Sequence, residues 1–126
     1  MRIKSIKVEN FRGFFDSHSI EFSYSDKSVN LVIAENEVGK TTLLESILWS
    51  LYGRLAKSSK QVESIINKEH LQICKKEKNL SKAQAVVRLS LVAEENYGEY
   101  DPDAFQVTRI LRYGEDLSGE LYVHSV

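Results

Sequence analysis

The chain has 126 residues, enough for one domain with a single core. Its 42% hydrophobic and 28% charged content is that of an ordinary globular chain, and a formal net charge of −1 gives no global electrostatic case for nucleic-acid binding. Cys74 is the one cysteine, which excludes an intramolecular disulfide and a cysteine metal cluster, and no apolar run reaches the ~18 residues of a membrane span. Residues 1–4 lead directly into a strand with no signal-peptide apolar stretch, so a cytoplasmic location is expected.

In chain order, Ile6 and Val8 alternate with Ser5, Lys7 and Glu9, the pattern of a strand with one buried face. Ile3 is out of phase, which predicts a bulge or a second contact. Asn10-Phe11-Arg12-Gly13-Phe14 reads as a polar, glycine-containing turn. His18, Ile20 and Phe22 alternate with Ser17, Ser19 and Glu21, predicting a second strand antiparallel to the first, with His18 a sheet side chain rather than a ligand. A polar loop, residues 23–28, leads onward.

Residues 29–53 read VNLVIAENEVGKTTLLESILWSLYG and organise the rest. Leu31, Val32 and Ile33 form an unbroken apolar run, as in a strand buried on both faces. Five residues without apolar period follow, Ala34, Glu35, Asn36, Glu37 and Val38, and then Gly39-Lys40-Thr41-Thr42. Leu43, Leu44, Ile47, Leu48 and Leu51 then recur at helical spacing, with Gly53 as the stop. Strand, tight loop, Gly-Lys-Thr and helix in that order form the context of a phosphate-binding loop.

The chemistry follows from helix geometry. The first helical turn presents backbone N–H groups without intrahelical partners, at the positive end of the macrodipole. Amides of Glu35, Asn36, Glu37, Val38 and Gly39 are expected to curl around a phosphate, with Gly39 allowing close approach. Lys40, the expected catalytic residue, would carry its charge to the β- and γ-phosphates. The Thr41 hydroxyl would ligate Mg²⁺, and Thr42 would bond the next phosphate inward. Ala34 stands where a first glycine belongs, at a cost of about 1 kcal/mol or a little more if positive φ is required. A fortuitous Gly-Lys-Thr in an ordinary strand–turn–helix would share the sequence but not the agreement of spacing and context.

The segment AENEVGKTTLLESILWSLYG resembles the Walker A region of ABC-type ATPase heads of the SMC/SbcC and DndD kinds, and the likeness extends upstream through residues 1–22 and more weakly down to Arg112. The resemblance implies an α/β P-loop NTPase fold: the N-terminal lobe of an ABC-ATPase head, with an antiparallel β layer beside the P-loop strand and helix. It implies ATP and Mg²⁺ as cofactors and a second head as homodimeric partner. It also implies DNA as the partner of the whole protein, in repair, DNA maintenance or anti-phage defence. An arginine in the Asn-Phe-Arg element of those families reaches the nucleotide, which assigns Arg12 to the site; a strand-end surface arginine is the alternative. By the same likeness, residues 63–67 would border the adenine.

Further along, Arg54 opens a linker running to Ser59, and Val62, Ile65, Ile66 and Leu71 suggest a short second helix or an extended turn. KKEKNLSK, residues 75–82, reads as an exposed mobile loop. Val87, Leu89, Leu91 and Ala93 alternate with Val86, Arg88 and Ser90 as a half-buried strand. An acidic loop, residues 94–103, contains Gly98 and Pro102, the chain's one proline. Phe105, Val107, Ile110 and Leu111 form another strand, residues 114–119 a turn, and Leu121 to Val123 a last short strand. Residues 57–82 carry a charge of +4 and residues 94–120 one of −6, read as solvated faces.

A P-loop ATPase also needs a carboxylate to complete the Mg²⁺ shell and a group that positions water. Val92-Ala93-Glu94-Glu95 imitates such a strand end but alternates, whereas a central parallel strand is continuously apolar. Leu117-Ser118-Gly119-Glu120 resembles half of an LSGGQ signature, yet it falls in a β turn. Residues 1–126 are therefore expected to be the Walker A half of a head, with Walker B, signature and coiled coil supplied by a C-terminal lobe, and inactive alone. The competing readings are a non-catalytic nucleotide-sensing or interaction module with a decayed P-loop, and a self-contained small kinase- or GTPase-like switch.

Overall fold

Apolar alternation at the start of the chain produces an inner strand of an antiparallel sheet. Strand β1 (Arg2–Phe11) pairs with β2 (Phe14–Glu21) on one side and β3 (Gln84–Val92) on the other. Beyond β3 come β4 (Ala104–Arg112) and β5 (Glu120–Ser125), giving the order β2-β1-β3-β4-β5. The computed structural model describes residues 2–22, 37–54, 65–92 and 104–125. The expected buried strand at Leu31, Val32 and Ile33, the loop residues Ala34, Glu35 and Asn36, residues 55–64 and the acidic loop at 94–103 lie outside them.

The out-of-phase Ile3 is explained by a bulge: the β1–β3 register shifts between Ile3 and Ser5, returning Ile3 to the core side. A second shift falls between Glu9 and Phe11, where Asn10 takes φ 50°. The extra residue is on β2, where Phe15 and Asp16 (φ 65°) together stand opposite Asn10, and the turned backbone at Asn10 lets Phe11, fully buried, join Val8 in the core. The expected five-residue turn thus contracts to Arg12-Gly13, because Asn10 and Phe11 stay in the strand and Phe14 opens β2. His18 projects from β2 as a sheet side chain, its ring 5.5 Å from that of Phe14 and Nε2 2.7 Å from the Phe15 carbonyl oxygen.

Helix α1 (Glu37–Tyr52) lies on one face of the sheet, its Leu43 and Trp49 packed with Ile6, Val8, Val87, Leu89, Val107 and Leu111. Its buried stripe consists of Thr42, Glu45, Ser46, Trp49 and Ser50, at i, i+3, i+4 spacing. The small hydroxyl residues let helix and sheet approach closely. Ser46 and Ser50 satisfy their buried hydroxyls on the Leu43 and Ile47 carbonyls. Of the apolar residues that announced the helix, Leu43 is buried but Leu44 is 59% and Leu51 37% exposed. The helix is therefore where its period placed it, with much of its apolar face turned away from this sheet. Gly53 ends it as expected: at φ 71° its N–H bonds the Trp49 carbonyl at 2.7 Å, and a Cβ there would meet Arg109 Nη1 at 2.8 Å.

Three other expectations change. Ile65 and Ile66 are buried in an extended segment bridged to Phe11, so the second helix starts later, as α2 (Lys68–Lys76). Asn67 caps it by accepting from the His70 N–H at 3.0 Å. The KKEKNLSK stretch is structured: Lys75 and Lys76 complete the last turn of α2, where cations suit the dipole, and Leu80–Lys82 forms a 3₁₀ turn. In β3, Val86 is buried along with Val87, Leu89 and Leu91, so this central strand is more enclosed than alternation alone implied. Cys74 is a buried free thiol.

At the β4–β5 turn, the Tyr122 hydroxyl donates to Glu120, and Arg112 Nη1 lies 3.2 Å from the same carboxylate oxygen. The Tyr122 hydrogen bond, and then Arg112, hold the Glu120 carboxyl below its usual pKa. Stability from this exposed cluster is present above the unfolded-state pKa of Glu120 and lost as pH falls through the lower folded value. Tyr122→Phe is expected to raise the Glu120 midpoint in an NMR pH titration; an unchanged midpoint would assign the shift elsewhere.

Candidate functional site

Helix α1 begins at Glu37, two residues before Gly39. Glu37 and Val38, expected in the loop, instead form its first turn with Gly39 and Lys40. The N–H groups without intrahelical partners therefore fall in the turn from Glu37 to Lys40, and those of Thr41 and Thr42 belong to the helix's own ladder. Helical φ/ψ at Glu37 and Val38 sets their amides parallel to the axis, facing out of the helix end where an anion is favoured, rather than curled inward as expected of a loop. Thr41 and Thr42 follow, Thr42 being buried. Glu35 and Asn36 lie outside the described residues.

The Arg12-Gly13 turn closes against this end of the helix. A Cβ built on Gly13 would lie 3.9 Å from the Thr42 hydroxyl oxygen. Arg12 Nε sits 2.9 Å from Glu45 Oε2, one helical turn beyond the Thr41-Thr42 pair. The pair is mostly buried, and although the two atoms are in ion-pair contact, Glu45 Oε2 accepts no hydrogen bond of good geometry. A carboxylate this enclosed is tolerated because the guanidinium balances it.

Arg12 is held from behind as well. It has φ 49°, a conformation that costs a residue with a Cβ free energy and persists only where neighbours enforce it. Its N–H donates to the Ile65 carbonyl at 2.7 Å, and its own carbonyl accepts from Asn67 Nδ2 at 2.7 Å. The Asn67 N–H bonds the Asn10 carbonyl at 2.8 Å, while Asn10 Oδ1 accepts from the Asp16 N–H at 2.7 Å. Ile65, Ile66 and Asn67, from the segment expected near an adenine, thus brace the arginine turn.

At the far end of α1, Trp49 is fully buried. Its ring lies 5.4 Å from that of Phe11, and Nε1 donates to the Leu117 carbonyl at 2.9 Å. Arg109, 7% exposed, donates from Nε to the Ser50 carbonyl at 3.1 Å and from Nη1 to the Ser118 carbonyl at 2.6 Å. Burial lowers its pKa from the ordinary arginine value. Because α1 has no basic residue in its last turn, this arginine from β4 supplies the cation that its C-terminal carbonyls favour. The Leu-Ser-Gly-Glu stretch is accordingly a docking turn leading into β5, and Gly119 (φ 63°) is required because a Cβ would meet the Ile110 carbonyl oxygen at 2.5 Å.

Of the expected site residues, the structure brings Arg12 and Thr42 together at the head of α1 and places Glu37, Val38, Gly39, Lys40 and Thr41 on its opening turns. Asn10 and Asn67 read in the sequence as part of the arginine turn and of the segment near the adenine, but their bracing of Arg12, and any part for Glu45, is not legible there. Glu45 alone left a signal there, a charge interrupting the apolar run of the helix.

A helix carrying Gly-Lys-Thr in its opening turns and seated on an antiparallel sheet has the fold of an SMC/SbcC-type ATPase head. A structure solved in a study of ATP-driven dimerization and DNA-stimulated activation of SMC ATPases superposes with a TM-score of 0.64, covering 99% of this chain and 69% of that one; at 17% identity the likeness is one of fold. The chain belongs to the AAA_23 family, an AAA domain, whose pattern matches residues 5–120. It is similar to the DNA replication and repair protein RecF of Clostridium kluyveri (38% identical over 65 residues, 52% of this chain and 17% of that one) and of Clostridioides difficile (35% over 74 residues, 58% and 19%). It is also similar to the DNA double-strand break repair Rad50 ATPase of Archaeoglobus fulgidus (41% over 51 residues, 40% and 5%). The chain thus spans less than a fifth of each of these relatives.

Proposed function

We propose that the chain is the ATP-binding N-terminal lobe of a DNA-processing ATPase, acting in repair, DNA maintenance or anti-phage defence. The observation that carries this reading is Gly39-Lys40-Thr41-Thr42 on the opening turns of α1, with Arg12 braced beside it by Glu45, Ile65 and Asn67. Free amides at a positive helix end, a lysine and a bidentate arginine form a donor set suited to a polyphosphate. The amides of Glu35, Asn36, Glu37, Val38 and Gly39 bind its oxygens, Lys40 neutralises charge at the outer phosphates, and Thr42 bonds further in. Thr41 would ligate Mg²⁺, which when bound supplies further neutralisation between phosphates.

Hydrolysis belongs to the dimerised head, with signature and Walker B from a C-terminal lobe. The exposed apolar residues Leu44, Leu51 and Tyr52 on α1 support a further layer there, since a helix apolar all round is normally covered on both sides. DNA as partner rests on likeness to RecF, Rad50 and SMC proteins. A cytoplasmic location fits a chain with one buried free cysteine, and among the described residues no helix is long and apolar enough to cross a membrane.

Mg-ATP at a hundredfold over Kd is expected to stabilise the chain by ~2.7 kcal/mol, roughly 10 °C in melting temperature, and Lys40→Ala to abolish the shift. No shift in the unmodified chain would favour the decayed-loop module. Multiple-turnover hydrolysis lost in Lys40→Ala would refute the incomplete head.

A further inference from the structure

We propose that β5 is a self-pairing edge through which two copies of this chain join their sheets, independently of nucleotide. Among the described residues β5 has a neighbour on one side only, β4, which leaves its other row of backbone N–H and C=O groups available for pairing. Edge strands are normally blunted by charged side chains, lysine above all, by proline or by a bulge. From Glu120 to His124 there is no lysine, proline or shift of register against β4, and the one carboxylate, Glu120, is engaged by Arg112 and Tyr122 of its own copy. Leu121, Tyr122 and Val123 are 47%, 44% and 60% exposed, three consecutive large apolar side chains on an open strand.

The sequence of the strand selects the partner. Successive residues turn their amides alternately to the two sides, so in a two-fold antiparallel pairing only residues of like parity stand opposite one another. Any register centred on a residue meets that condition, and the one centred on Tyr122 also matches the side chains best. Glu120 stands opposite His124 of the other copy, Leu121 opposite Val123, and Tyr122 opposite Tyr122. An acid thus faces an imidazole, and on the helix-bearing side of the sheet aliphatic meets aliphatic. Shifting the centre to Val123 sets Leu121 against Ser125 and removes the match. The Glu120–Arg112 and His124–Gln106 contacts engage this edge from within one copy, which holds both ends in place for pairing. The edge lies beside the C-terminal end of α1, as the Arg109–Leu121 pairing and the Arg109–Ser50 hydrogen bond require, and so away from the Gly-Lys-Thr end.

The test is sedimentation of the 126-residue chain over a concentration series, with and without Mg-ATP, beside Val123→Lys and Tyr122→Cys. A concentration-dependent dimer is expected, equal in Lys40→Ala and without nucleotide, and weakened about tenfold or more by Val123→Lys while circular dichroism is unchanged. Opposed cysteines at position 122 would have Cα atoms ~4.5–5.5 Å apart, within disulfide reach. Tyr122→Cys is therefore expected to give a covalent dimer on air oxidation, and Cys74, being buried, to give none in the unmodified chain. A monomer at every concentration, a dimer indifferent to Val123→Lys, or a Tyr122→Cys dimer that fails to cross-link would each overturn the proposal. The last two would point to another surface, and the first to an edge covered only in a longer protein.

Discussion

Trp49→Ala is expected to lower the unfolding free energy by about 3–5 kcal/mol, the range for emptying a fully buried large aromatic site. The side chain fills the space between α1 and Phe11 and ties α1 to the turn before β5 through the Leu117 carbonyl. Small domains have only about 5–15 kcal/mol in total, so a fall of roughly 10–20 °C in melting temperature should follow, measured by circular dichroism. Trp49→Phe keeps most of the volume and loses the hydrogen bond, for about 1–2 kcal/mol. Trp49 is the one tryptophan, so the unmodified protein also reports unfolding at this site by fluorescence. A drop below about 1 kcal/mol for the alanine variant would mean that this contact does not hold the helix to the sheet.

Arg109→Met is expected to cost about 2–4 kcal/mol although it removes a buried charge. Methionine matches the length of the stem, yet leaves the Ser50 and Ser118 carbonyls without their donor, at about 1–3 kcal/mol for each buried group. It also removes the cation 6.0 Å from the centre of the Trp49 ring. Relief of desolvation offsets part of this, which is why the figure stays below the sum. Arg109→Lys should rescue little, because one ammonium cannot reach two carbonyls in the geometry of a planar fork. Equal stability of the Met and native proteins in urea would show that the arginine is not what joins helix end, β4 and the Ser118 turn.

How much of this was legible in the residues depends on the range of each interaction. The bulge behind Ile3, the helix stop at Gly53, the β1–β2 hairpin and the turn containing Ser118 depend on neighbours in the chain, and their periods and turn residues announce them. The orientation of α1 was not legible, since its apolar residues surround it and the small residues Ser46 and Ser50 decide which side meets the sheet. The brace behind Arg12 was equally hidden. It joins residues 55 positions apart, Asn67 and Arg12, and no local pattern marks such a pair. The lysine-rich end of α2 reads as loop in the sequence because its charges mask the Asn67 cap and the dipole that favours cations there. For the candidate site, the place of Gly-Lys-Thr near a helix start and of Arg12 in a strand-end turn is legible in the sequence, whereas the Arg12–Glu45 contact emerges only once β1 and α1 are side by side.

The claim at the centre is that an anion binds at the opening of α1. Backbone amide shifts of the ¹⁵N-labelled chain, followed as Mg-ATP is added, test it most directly. The largest changes should fall on Glu37, Val38, Gly39, Lys40, Thr41, Thr42 and Arg12, and should vanish in Lys40→Ala. Shifts scattered over the sheet, or none at the start of the helix at saturating nucleotide, would contradict it.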